Sequence, residues 1–256
     1  MEDLRLLAFK RLLDIMDELR EKCPWDSKQT FESLRYLTIE ETYELSDAII
    51  DKQYADIGKE LGDLMLHLVF YAKIGEEQQL FDIETVLNGI CEKLTRRHPH
   101  VFSNTQVEGV EDVKENWEKI KLQEGTRSVL SGVPNSLPAM VKAFRIQEKA
   151  RGVGFDWENA DQVWDKVMEE LEEFKTEVSC KSTQMEEELG DLLFALINYA
   201  RFLNLNPEDA LEKCNRKFIR RFKYIEQRAV ELGRSISSMT LAEMEEIWQE
   251  AKKGIV

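Results

Sequence analysis

Apolar residues recur along this chain at intervals of three and four, the spacing of one helix face. Leu4, Leu7, Leu12, Ile15 and Leu19 form such a stripe on a first predicted helix, which stops before Pro24. Phe31, Leu34, Leu37, Leu45 and Ala48 form a second. A third helix is predicted over about 56–75, with Leu61, Leu64, Leu68 and Tyr71 on one side, and a fourth over about 82–97, ended by Pro99. The stretch HPHVFSNTQVEGVED reads as a loop, followed by a helix over about 113–122. GTRSVLSGVPNSLP holds two Gly and two Pro and reads as a linker. Helical patterns then resume at about 138–151, 160–179, 183–204, 207–232 and 240–253.

Composition agrees with an all-α fold. Among 256 residues there are only 12 Gly and 5 Pro, and a third of the chain is charged. The net charge of −15 argues against nucleic-acid binding and against docking on anionic membranes. Cys23, Cys91, Cys180 and Cys214 form no CxxC pair, so they read as free thiols of a cytoplasmic protein. The N-terminus lacks the pattern of a signal peptide, and no run is long enough for a membrane span.

The two halves repeat each other. IEETYEL and KELGDLMLHLVFYA in the first half are echoed by MEELEEF and EELGDLLFALINYA in the second. Glu60 to Glu188 and Asp63 to Asp191 are both separated by 128 residues. EKLTRRH is echoed by RKFIRRF, and NWEKIK by IWQEAK. Four blocks in one order define two diverged tandem modules, expected at 1–124 and 138–256, with a linker at 125–137.

Each module carries two carboxylate pairs at i and i+3, hence on one helix face. They are Glu41 with Glu44 and Glu60 with Asp63, then Glu170 with Glu173 and Glu188 with Asp191. Two carboxylates about 5 Å apart repel by about 3 kcal/mol at an effective dielectric near 20. Four facing one another would consume much of a domain's net stability of about 5–15 kcal/mol. Such a quartet must be solvated, partly protonated or bound to a cation. Oxygen ligands without nearby Cys or His suit Mg²⁺ or Mn²⁺. A di-iron bundle would need Glu-x-x-His on two helices, and none of His67, His98 and His100 lies three after a Glu. His67 reads as a packing residue.

Basic clusters follow the acids: Lys93, Arg96 and Arg97 in the first module, and Arg216, Lys217, Arg220 and Arg221 in the second. A metal-binding acidic group beside Arg and Lys is what a triphosphate needs. Of the five tryptophans, Trp248 is the candidate for stacking a base, because its block recurs. No GxxxxGK[ST] phosphate loop is present.

The pattern EExxE followed by ExxD, here Glu40, Glu41, Glu44, Glu60 and Asp63, resembles the MazG family of the all-α NTP pyrophosphatases. CPWDSKQTF, RRHPHVF, GFDW, EELGDLLF and NRKFIRRF are similar to its two-module members. The resemblance implies four-helix-bundle-like units in a homodimer, with Mg²⁺ held by each quartet. It implies hydrolysis of ribo- and deoxyribonucleoside triphosphates between the α and β phosphates, by metal-activated water, to a monophosphate and pyrophosphate. It also implies nucleotide contacts by Asn215, Lys217 and Arg221. The denser basic helix makes the second module the expected main catalytic site. Two other readings stay open: a narrow dUTPase-like hydrolase, and a non-catalytic helical interaction module.

Overall fold

The computed structural model describes residues 3–103, 105–107, 109, 112, 113, 116, 117, 120 and 128–254. Among them there is no strand. The chain forms two compact units, residues 1–107 and 108–256. The expected first module ran on to residue 124, over a stretch that lies largely outside the described residues. Within that stretch Val113, Trp117 and Ile120 are helical, as expected.

The first unit contains α1 (Leu4–Lys22), α2 (Phe31–Ile50), α3 (Tyr54–Glu77), α4 (Ile83–Arg97) and the single turn α5 (Pro99–Phe102). Thr30 starts α2 with a capping box: its side chain accepts from the Ser33 amide while the Ser33 side chain accepts from the Thr30 amide. Residues 51–53 then turn the chain back, with Lys52 in the left-handed region at φ 55°. The α2–α3 hairpin is the most extensive helix pairing in the unit, and α1 packs across α3. Met16, Leu34, Val69, Phe70 and Ile74 make the buried core, with Phe9, Leu12 and Leu13 against it.

Periodicity located the helices well and their buried faces less well. On α1 the packed stripe is Phe9, Leu12, Leu13 and Met16, whereas Leu4, Leu7 and Ile15 are exposed. On α3 the core face carries His67, Val69, Phe70, Ala72 and Ile74, while Leu61 and Leu68 face out. α3 is apolar over most of its circumference, so spacing alone could not say which stripe meets the neighbour. On α2 the expected residues Leu34 and Ala48 are buried.

After the helical residues Val113, Trp117 and Ile120, the second unit has a 3₁₀ turn at Val129–Gly132, inside the expected linker, which packs on α6 (Ala139–Arg151). Then follow α7 (Ala160–Cys180), α8 (Met185–Phe202), α9 (Pro207–Glu231) and α10 (Leu241–Gly254). Asn159 caps α7 by accepting from the Gln162 amide, and Lys181 ends it at φ 51°. Asn206 and Pro207 start α9 with an N-cap and a first-turn proline. α7 and α8 form a hairpin like that of α2 and α3, and α6 packs on α8. α9 and α10 close a small core of Ile225, Ala229, Met239 and Ile247.

Leu34 is fully buried at 0% exposure. Leu34→Ala should therefore lower the unfolding free energy of the first unit by about 2–5 kcal/mol. Urea unfolding followed by far-UV circular dichroism checks this, and an unchanged midpoint would remove Leu34 from the core that holds the hairpin.

Candidate active site

The two hairpins bring carboxylates together from opposite helices. In the first unit Glu41 of α2 meets Glu60 and Asp63 of α3, with one oxygen from each inside 4.8 Å of the others. In the second, Glu170 of α7 meets Glu188 and Asp191 of α8 within the same limit. Glu60 and Glu170 are buried. Glu44 and Glu173, the remaining expected members, are exposed and fall outside these trios. They are still felt: burial, then Asp63, Glu44 and Glu60, holds the Glu41 carboxyl above its ordinary range. Glu188 is raised likewise, by burial first and then by Glu173, Asp191 and Glu170. Glu186, Glu187 and Glu188 lie in the first turn of α8, where the helix dipole favours negative charge and offsets part of this repulsion.

A lysine answers each trio. Lys59 Nζ lies 3.0 Å from Glu60 and 3.9 Å from Asp63. Lys166 Nζ lies 2.7 Å from both Glu169 and Glu170, and these partners push its pKa up. The buried Oε2 of Glu60 nevertheless accepts no hydrogen bond. Clustered oxygen ligands, one of them sealed and unsatisfied, fit a hard divalent cation better than an ammonium group alone.

Beside the second trio lies a cavity of about 620 Å³. Glu170, Asp191 and Lys166 line it at the acidic end. Phe155, Trp157 and Phe194 supply aromatic surface, and Gln147, Asn198, Asp156 and Arg201 supply polar groups. The GFDW segment reaches this position through Gly154, whose φ of 85° only glycine adopts without strain. Arg201 is buried, and its Nη1 donates to Asp156 Oδ2 at 2.9 Å while Nη2 donates to Oδ1. Asn198 Oδ1 accepts from Arg201 Nε at 3.0 Å and from Nη2 at 2.8 Å.

The expected nucleotide-contact residues sit on α4, α9 and α10, not on the hairpins that carry the trios. Asn215, Lys217 and Arg220 are exposed on α9. Arg221 is half-buried, its guanidinium 5.5 Å from the Trp248 ring centroid. Trp248 packs on Phe218 at 5.1 Å against the α9–α10 core. Arg96 and Arg97 occupy the last turn of α4. None of these seven lines the cavity. Sequence reasoning passed over Gln147, Asp156, Asn198 and Arg201. A signal was available: Asp191, Phe194, Ala195, Asn198 and Arg201 follow helical spacing, so two polar residues extend the stripe that begins with an acidic ligand candidate.

Fold and site define an all-α protein of two tandem helical modules, each with a carboxylate trio across a helix hairpin. The MazG nucleotide pyrophosphohydrolase domain matches residues 29–102 and again 159–225, spans that contain the two trios. The chain is 43% identical over 253 residues to the nucleoside triphosphate pyrophosphohydrolase of Escherichia coli (strain K12), covering 95% of this chain and 96% of that protein. It is 44% identical to the nucleoside triphosphate pyrophosphohydrolase/pyrophosphatase MazG of Thermotoga maritima, covering 97% of each. A crystal structure of a MazG-related protein from Thermotoga maritima aligns with 44% of this chain and 98% of its own, at 26% identity and a TM-score of 0.40. The chain belongs to the MazG nucleotide pyrophosphohydrolase family.

Asp156→Ala would leave buried Arg201 without its carboxylate. Breaking such a pair should cost the second unit about 3 kcal/mol. Thermal or urea unfolding reads the loss, and wild-type stability in this variant would show the pair to be dispensable.

Proposed function

We propose that this chain hydrolyses ribo- and deoxyribonucleoside triphosphates between the α and β phosphates, chiefly at the second acidic trio. The observation that carries this reading is that Glu170 and Asp191 of the trio line a cavity large enough for a nucleoside, beside a matched family domain's acidic cluster. Glu170, Glu188 and Asp191, joined by Glu173, are the proposed ligands of Mg²⁺, which Mn²⁺ can replace; Glu41, Glu44, Glu60 and Asp63 are the equivalent set in the first unit. A bound divalent cation supplies charge neutralisation and a more acidic water. A carboxylate of the trio takes the water's proton. Lys166 is already at the cavity edge and can turn from Glu170 to a phosphate oxygen. Lys217, Arg220 and Arg221, with Asn215 and Trp248, are proposed as further nucleotide contacts, as are Arg96 and Arg97 in the first unit. The cytoplasm is the proposed compartment; no helix of the described residues is long and apolar enough to cross a membrane.

Core residues of the first unit favour the second as the catalytic one. The positions 128 residues before Ala195 and Asn198 are His67 and Phe70, both buried. Burial also pushes the His67 pKa down, so it is held as a neutral packing group. Where the second unit has a small residue and an amide beside its cavity, the first has two rings in its core.

Two results test the reaction and its location. ATP should yield AMP and pyrophosphate in equal amounts, activity should vanish in EDTA, and ¹⁸O from water should appear in AMP. ADP and orthophosphate as first products would exclude the mechanism. At matched folding, Glu188→Gln should lower kcat/KM by about a hundredfold or more. Glu60→Gln should do far less, and the opposite order would reverse the assignment of the units.

A homodimer is the proposed assembly. α4 is strongly amphipathic yet has no buried residue, and Val86, Leu87, Ile90 and Leu94 are exposed. Leu189, Leu193 and Leu196 on α8 are exposed as well. A second copy, bringing the same apolar stripes, matches these faces. Sedimentation should show twice the 30.0 kDa chain mass at micromolar concentration, and a 30.0 kDa species alone would contradict it.

A further inference from the structure

We infer that Lys59 is a tethered counter-ion that makes the first trio the weaker of two divalent-cation sites, so that the units of one chain load in a fixed order, the second before the first. This deepens the proposed function and rests on it for the trios as cation sites.

Lys59 is placed by its own helix. It directly precedes Glu60 and lies four before Asp63, so its stem runs along the edge of the acidic face of α3. Its Nζ lies 3.0 Å from Glu60 Oε1 and 3.9 Å from Asp63 Oδ2. Its charge also reaches the facing helix. Burial, then Asp63, Glu44 and Glu60, raises the Glu41 carboxyl, and Lys59 opposes them. One ammonium group thus acts on all three members of the trio. A divalent cation entering there meets acids already partly neutralised and a positive charge that must move aside. The site is weakened and not abolished. The buried Glu60 Oε2 still lacks a partner, and the largely exposed Lys59 side chain can swing into water.

The second trio has a different setting. The residue 128 after Lys59 is Glu187, and the one 128 after Gly58 is Glu186. Gly58, Lys59 and Glu60 of the first unit are therefore Glu186, Glu187 and Glu188 in the second, a difference of three negative charges at one place on the helix. Lys166 comes from the facing helix α7 and pairs with Glu170 and with Glu169, outside the trio, so it leaves Glu188 and Asp191 to other partners. It also lines the cavity, where a bound triphosphate can draw it off Glu170. Lys166 adds one positive charge and the N-terminus of α8 about half of one. Together these stay below the three-charge difference, so the second trio remains the more negative. At a cation concentration between the two affinities, the second trio is loaded while the first is held together by its own ammonium group.

The test titrates Mn²⁺ into the intact, nucleotide-free chain and reads free Mn²⁺ by electron paramagnetic resonance. Two classes of site are expected. Glu188→Gln should weaken the tighter class, and Glu60→Gln the weaker one. Lys59→Glu should tighten the weaker class about three- to tenfold and leave the tighter class unchanged. Lys59→Met, which removes the charge without reversing it, should tighten the weaker class by a smaller factor. The reciprocal Glu187→Lys should loosen the tighter class about three- to tenfold. Equal affinities of the two trios in the wild-type chain would overturn the inference, as would a first trio whose affinity is unchanged by both Lys59→Met and Lys59→Glu. Thermal midpoints in excess EDTA separate altered binding from altered fold. The titration involves no turnover, so it is independent of the reaction. This loading order in a chain that makes ADP and orthophosphate would fail the proposed hydrolysis and keep the inference. No Mn²⁺ at either trio would overturn both.

Discussion

Like charges forced together across a helix hairpin are the constraint on which this protein depends. At about 5 Å each carboxylate pair in a trio repels by about 3 kcal/mol in a medium of intermediate dielectric. Nothing in the trio itself holds the helices together. The α2–α3 hairpin closes because its other face packs Leu34, Val69, Phe70 and Ile74 against Met16 of α1. Lys59 and Lys166 then screen the acids, and the start of α8 adds its dipole. The hydrophobic core supplies stability that the polar face uses up, and a bound cation would relieve the same repulsion.

The two units keep this constraint and differ in what stands beside it. Both have the trio, the hairpin and a crossing helix. In the first unit, rings fill positions whose counterparts in the second are Ala195 and Asn198. In the second unit Asp156, Arg201, Asn198 and Gln147 line a common space, where Asp156, Arg201 and Asn198 orient one another and the Phe194 carbonyl holds Gln147. Such a chain of bonds stays ordered only if every member is present.

Much of this was readable along the chain. Helix positions followed from spacing of three and four, and most helix ends fell within two or three residues of the expected ones. The tandem modules and the acids Glu41, Glu60, Asp63, Glu170, Glu188 and Asp191 followed from repetition, because a duplicated spacing of charges survives divergence that ordinary surface acids would not. The tertiary structure decided which stripe of each helix is buried, since Leu61 and Leu68 have the same spacing as true core positions yet face outward. It also decided that Glu44 and Glu173 stand one step outside the trios. The cavity belongs to it as well. A void is the space left by residues far apart in sequence, and Gln147, Asp156 and Asn198 acquire their roles only when α6, the GFDW turn and α8 converge. Periodicity records which way a side chain points on its own helix. It holds no information about what lies opposite.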